Sequence, residues 1–200
     1  MSTLKRFRVY DLMVIALMAA LGIATKPLIV PLTHMITGPL FIPGGAIAGG
    51  FYMFWLVLAA GLIGKRGTAS LVGLTQALMV IITGAFGSHG LVSIVTYSLP
   101  GLVIDGLFLI FRRRWTTLYD FFIAGVLANL TGTYLSNLVF FRLPLVPLLM
   151  SLAGAIFSGG LGGVIAYQIY VRINRISGRS IKGHESFDGA SSTNKVDAEE

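Results

Sequence analysis

Apolar residues run through this chain in long blocks, and short basic clusters separate every second block from the next. A membrane-spanning helix needs about 20 largely apolar residues to cross hydrocarbon about 30 Å thick. On that measure the pattern predicts helices over 10–31, 46–63, 68–83, 91–111, 118–141 and 145–171. Segment 31–45 interrupts the pattern with Pro31, Pro39, Pro43, Gly38, Gly44 and Gly45. Proline removes a backbone donor and glycine removes stiffness, so a loop or broken helix is expected there. Its Leu40, Phe41 and Ile42 are apolar, which suits a lid lying against or dipping into the membrane. Past residue 173 the chain turns polar, with too little apolar content to fold, and a disordered tail over 173–200 is expected.

The basic clusters set the orientation. Lys5, Arg6 and Arg8, then Lys65 and Arg66, then Arg112, Arg113 and Arg114, then Arg172, Arg175, Arg179 and Lys182 all fall on one side of the predicted hairpins. Lys26 and Arg142 fall on the other. Lys and Arg concentrate in cytoplasmic loops, so the expectation is an all-α integral membrane protein: a six-helix transmembrane bundle over 1–172 with both termini cytoplasmic. The N-terminus shows no small-residue cleavage site, so the first helix is expected to stay in the membrane.

Composition agrees. Charged residues make up 12% of the chain and apolar residues 55%, against about a quarter charged in soluble domains. The net charge of +7 follows from topology and does not imply nucleic acid. Absence of cysteine excludes disulfides, thiolate metal sites and cysteine nucleophiles.

Small residues show where helices can meet. Ala16, Ala20 and Ala24 repeat every four positions on the first helix; glycines cluster at 44–50 and 159–163. Such faces let backbones approach closely in lipid, where apolar side chains supply no hydrophobic drive. Spacing alone leaves open whether the alanine face packs the bundle or docks a partner protein.

Intramembrane polar groups each need a reason. Asp105 is expected to reach Arg112 or to cap the next element, and Asp11 to be interfacial. Gln76, Asn129 and Asn137 suit either interhelical hydrogen bonding or contact with a small heteroaromatic ligand. The outer half carries Lys26, His34, His89 and Arg142, with Phe41, Tyr52, Trp55, Phe86, Tyr97 and Tyr134 nearby. Lys26 and Arg142 suit either headgroup snorkelling or ligand contact, and aromatics also form interfacial belts. None of the eight acids falls on that side. A buried cation demands a carboxylate, so this surface suits a neutral or anionic molecule.

Catalytic signatures are missing. Gly87-Ser88-His89 has no third orienting group, the histidines lack metal-ligand spacing, and Gly64-Lys65-Arg66-Gly67-Thr68 is not a phosphate-binding loop. No cofactor motif is present. A small intramembrane enzyme or a stand-alone carrier or channel remain rival classes; the first needs a converging acid, base or metal set, and the second pore-lining periodicity or two similar halves.

Six short helices in 200 residues, the Ala16-x-x-x-Ala20 pattern, Gly38-Pro39, Gly64-Lys65-Arg66-Gly67, Gly84, Gly90 and the block from Gly101 through Asp105 to Phe108 together resemble the substrate-binding (S) components of energy-coupling factor vitamin transporters. The resemblance covers about residues 8–172 and is nearest to the thiamin-pathway and cobalamin-precursor types. It implies a ligand near the outer surface between helices four to six, capped by the loop over 31–45. The candidate contacts are Lys26, His34, Phe41, Trp55, Gln76, His89, Tyr97, Asn129, Tyr134, Asn137 and Arg142. It further implies a transmembrane coupling subunit docked on Ala16, Ala20 and Ala24, two cytoplasmic ATPase subunits, and a bacterial plasma membrane. No enzymatic activity is implied. The acid-free outer face favours a neutral precursor such as a benzimidazole or pyrimidine over a thiamin-like cation.

Overall fold

A computed structural model of the chain describes residues 7–84, 90–111 and 116–177. The Arg112–Arg114 run, Lys5, Arg6, Phe86, His89 and the tail beyond 177 lie outside the described residues. Six α-helices form the body: α1 Val9–Thr37, α2 Gly44–Ile63, α3 Thr68–Thr83, α4 Ser93–Phe111, α5 Leu118–Ser136 and α6 Leu145–Ile176. A 3-10 turn, Gly38–Leu40, joins α1 to α2, and a π-helical turn, Asn137–Phe141, extends α5. No strand element occurs among the described residues. All except α3 are long and apolar enough to cross a membrane. The 16 residues of α3 reach only about 24 Å at about 1.5 Å per residue.

The expected loop over 31–45 is mostly helix. α1 continues through Pro27 and Pro31 to Thr37, leaving only 38–43 as connection. Each proline removes one backbone bond, but in hydrocarbon no water replaces the remaining ones, and neighbouring hydroxyls can add bonds. Thr25 Oγ1 donates to the Leu21 carbonyl at 2.6 Å, Thr33 Oγ1 lies 2.9 Å from the Val30 carbonyl, and Thr37 Oγ1 lies 3.0 Å from that of Thr33. α6 likewise runs beyond its expected end, to Ile176.

α2 is the central element, in contact with α1, α3, α5 and α6, while α1, α3, α4, α5 and α6 form an arc around it. Its apolar residues occur all round, as befits a helix buried on most sides. Glycines set how near the others come. A Cβ on Gly50 would strike the Ser158 backbone, and one on Gly125 would meet the Gly163 nitrogen at 2.9 Å. The glycines at 49–50 and 159–163 therefore pack the bundle. The alanine face on α1 does not: Ala16 and Ala24 are exposed and Ala20 is half-buried, while Ile15, Met18, Ala19, Gly22 and Ile23 turn inward.

The three acids in the described residues gather at one end of the bundle and tie its elements. Asp11 pairs with Lys65 and accepts from the Arg8 amide at 2.7 Å. Asp120 closes a capping box with Thr117 at the start of α5. Asp105, although on α4, caps α3: its Oδ1 accepts from the Gly67 amide at 3.0 Å, and its Oδ2 from the Ser70 amide at 2.7 Å and the Ser70 hydroxyl at 2.5 Å. A carboxylate there meets the free N–H groups and the positive end of the helix dipole. Asp105 thus caps the preceding helix in the hairpin, not the next element. Asp105→Ala should lower stability by about 1–2 kcal/mol, the usual cost of a lost cap. Thermal unfolding in detergent micelles reads this as a lowered midpoint.

Candidate functional site

A cavity of about 580 Å³ opens at the end of the bundle away from the three acids. α1 supplies one wall through Lys26, Val30 and His34, which recur at four-residue intervals and so share one helix face. Pro31 and Met35 extend it. α2 contributes Gly44, Gly45 and Tyr52, and the end of α5 contributes Ser136 and Phe141. The volume matches a small-molecule site.

Two smaller recesses lead off the same walls. One, about 40 Å³, runs inward past Lys26, Tyr52 and Ser136 to Gln76, Thr96, Tyr97 and Gly132. The other, also about 40 Å³, passes Tyr52, Ser136 and Phe141 to reach Thr133, Asn137 and Ser151. The hydroxyls of Thr96 and Thr133 are buried without a hydrogen-bond partner.

Lys26 stands where cavity and inner recess meet. Its ammonium lies 3.9 Å from the Tyr97 ring centroid and 4.5 Å from that of Tyr52, and cation–π attraction holds it there. No carboxylate partners it among the described residues. Tyr52 is itself anchored, its hydroxyl donating to the Gly45 carbonyl at 3.0 Å.

The connection between α1 and α2 is tied down by hydrogen bonds beside the cavity. The Gly44 amide donates to His34 Nδ1 at 3.3 Å, Thr33 Oγ1 lies 3.0 Å from the Gly44 carbonyl, and Thr37 Oγ1 lies 2.9 Å from that of Ile42. Because Nδ1 accepts, the neutral imidazole carries its proton on Nε2. Ile42 is buried, but Phe41, in a left-handed conformation at φ 57°, is 76% exposed and lines no cavity described above.

The sequence-derived candidates divide accordingly. Lys26, His34, Gln76, Tyr97 and Asn137 line the cavity or its recesses. His89 lies outside the described residues. Trp55 instead joins two helices, donating from Nε1 to Thr25 Oγ1 at 3.0 Å. Asn129 is fully buried between helices, its amide donating to the Ala46 and Ala155 carbonyls, both at 3.0 Å. Tyr134 and Arg142 are exposed and line none of these spaces. The main cavity also lies between α1, α2 and the end of α5, not between helices four to six. Sequence reasoning passed over Thr96, Thr133, Ser136 and Phe141 and left Tyr52 among general aromatics. The available signal was register: Gly132, Thr133 and Ser136 share one face of α5, and Gly45 and Tyr52 lie two turns apart on α2. Asn129→Ala should cost about 1–2 kcal/mol by removing two interhelical bonds. Because Ser158 still ties α6 to Gly50 and Ile47 on α2, ligand affinity of the protein that remains folded should be unchanged; calorimetry beside thermal unfolding separates the two effects.

No curated protein matches the chain. A solved structure described as "Crystal structure of an S-component of ECF transporter" is similar over 96% of this chain and 98% of its own, with a TM-score of 0.70 at 20% identity. That likeness shows a shared fold. Residues 10–131 match the family model described as "ABC-type cobalt transport system, permease component". That family consists of transport components, not enzymes. Since the match takes in more than half of the sequence, the chain belongs to the family of permease components of ABC-type cobalt transport systems.

Proposed function

We propose that the chain is the substrate-binding membrane subunit of an energy-coupling factor uptake system, taking a vitamin or vitamin precursor into the cavity beside Lys26. The observation that carries this reading is a ligand-sized, largely apolar cavity within an S-component-like fold, with Lys26 held between two tyrosine rings at its floor. The six helices cross the membrane with both termini in the cytoplasm, the short α3 being accommodated by local thinning of the bilayer. The end bearing Arg8, Lys65, Arg66, Arg172 and Arg175 faces inward by the positive-inside rule, and the cavity therefore opens outward. The membrane is a bacterial plasma membrane.

The family description names cobalt, but the donors around this cavity suit an organic molecule better. Divalent transition metals favour several imidazole, carboxylate or thiolate ligands together. The cavity has one imidazole, His34, and a lysine that would repel a cation. Among the described residues no three His, Asp or Glu side chains converge. A neutral heteroaromatic such as a benzimidazole or pyrimidine fits the tyrosines and polar recesses; a thiamin-related molecule would bring its positive charge against Lys26.

Transport needs partners. Ala16, Ala20 and Ala24 on α1, the middle one half-buried, form a smooth strip suited to close helix contact, the place for a transmembrane coupling subunit that two cytoplasmic ATPases drive. Ala20→Trp should abolish uptake in cells while ligand binding by the purified subunit persists. Parallel loss of binding would mean the strip serves the fold of this chain alone.

Ligand charge provides the second test. By calorimetry, benzimidazole should bind at least about tenfold more tightly than N,N′-dimethylbenzimidazolium, since a buried cation beside Lys26 loses hydration and meets like charge. Tighter binding of the quaternary compound would overturn the assignment of ligand charge.

A further inference from the structure

The inner recess has a chemistry distinct from the cavity that leads to it. Its space of about 40 Å³ is too small for an aromatic ring but has room for a group of two or three non-hydrogen atoms. Lys26 forms its threshold, with N–H donors that face tyrosine π-clouds and reach no acceptor or acid among the described residues. Thr96 lies within it, more than nine-tenths buried, its hydroxyl without a partner. Gln76 brings an amide to the same wall. Gly22 on α1 makes room for that amide, since a Cβ there would collide with Gln76 Nε2.

A buried hydroxyl left unpaired is costly, and a lysine held only by ring faces has hydrogen-bonding capacity to spare. Both lie on one recess that opens into a ligand-sized cavity. We propose that this recess is a subsite for a compact oxygen acceptor, a carboxylate or a hydroxyl-bearing carbon, at one tip of the ligand. Lys26 and Thr96 are its donors. The inference rests on the reading that the cavity binds substrate, and it adds which part of the substrate is recognised and by which atoms. The ligand is then a planar apolar body that stays in the outer cavity and carries one oxygen-bearing substituent directed inward. Lys26 sets specificity in two ways: it donates a charge-assisted hydrogen bond to the acceptor, and it rejects an amine of the same size.

The test uses three probes with one ring and different tips: benzoate, benzyl alcohol and benzylamine, titrated calorimetrically into the purified full chain in detergent micelles. Benzoate and benzyl alcohol should each bind about tenfold or more tightly than benzylamine, the range of a charge-assisted bond. Lys26→Met, which keeps the stem over the tyrosines, should erase the difference between benzoate and benzylamine. Thr96→Val should weaken benzyl alcohol about fivefold without lowering the unfolding temperature, because it removes a hydroxyl that the empty protein leaves unpaired. A hydroxyl with a purely structural role would leave the affinity unmoved. Equal affinities for the three probes, no binding of any of them, or an order that survives Lys26→Met would each overturn the subsite. Uptake by cells is a separate readout: a chain that takes up a vitamin but shows no order among the probes loses the subsite alone, and one that keeps the order but transports nothing loses only the uptake role.

Discussion

The structure depends on how closely α5 and α6 approach the N-terminal half of α2. Glycines on all three helices let the backbones nearly touch, and two polar side chains then hold the contact. Asn129 from α5 donates to the Ala46 carbonyl on α2 and to Ala155 on α6. Ser158 from α6 accepts from the Gly50 amide at 2.9 Å and donates to the Ile47 carbonyl. In lipid, packing of this kind and interhelical hydrogen bonds provide most of the attraction between helices. The clasp fixes the first turns of α2, and those turns carry Gly44, Gly45 and, two turns deeper, Tyr52. The cavity wall is thus placed by contacts that never touch a ligand.

A second constraint separates the two ends of the bundle. At one end, acids are consumed in caps and ties: Asp11 to Lys65, Asp105 on the start of α3, Asp120 on the start of α5. At the other, Lys26 has aromatic faces in place of an acid. The first end is thereby stitched tightly, while the second is left with polar groups not consumed by the fold. Thr96 and Thr133 belong to that surplus. On the proposed reading, this division, more than any single residue, marks the end that receives a small molecule.

α1 serves two surfaces at once. Lys26, Val30 and His34 face the cavity, whereas Ala16, Ala20 and Ala24 face outward lower on the same helix. On the proposed reading, one continuous helix would link the ligand-binding surface to the surface for the coupling protein. The threonine hydroxyls along its proline-bearing half add hydrogen bonds to that segment, and the connection from its end to α2 takes only six residues, 38–43.

Helix number, helical class and the separation of acids from Lys26 were legible in the sequence, because apolar block length and charge placement are governed by the bilayer and not by tertiary contacts. α3 was located to the residue, bounded by Gly67 and Gly84, both in left-handed conformation. α1 was not: Pro31 signals a helix end in water, but in hydrocarbon the unbonded alternative is worse, and the helix continues to Thr37. Ending the helix early hid the stripe from Lys26 to His34. The roles of Asn129 and Trp55 were equally hidden, since an amide or indole at mid-depth suits a ligand or a neighbouring helix alike until the neighbour is known. Composition and spacing decide what can dissolve in a membrane and which way it faces. Which polar groups are used up by neighbouring helices, and which are left for a ligand, is decided only when those helices meet.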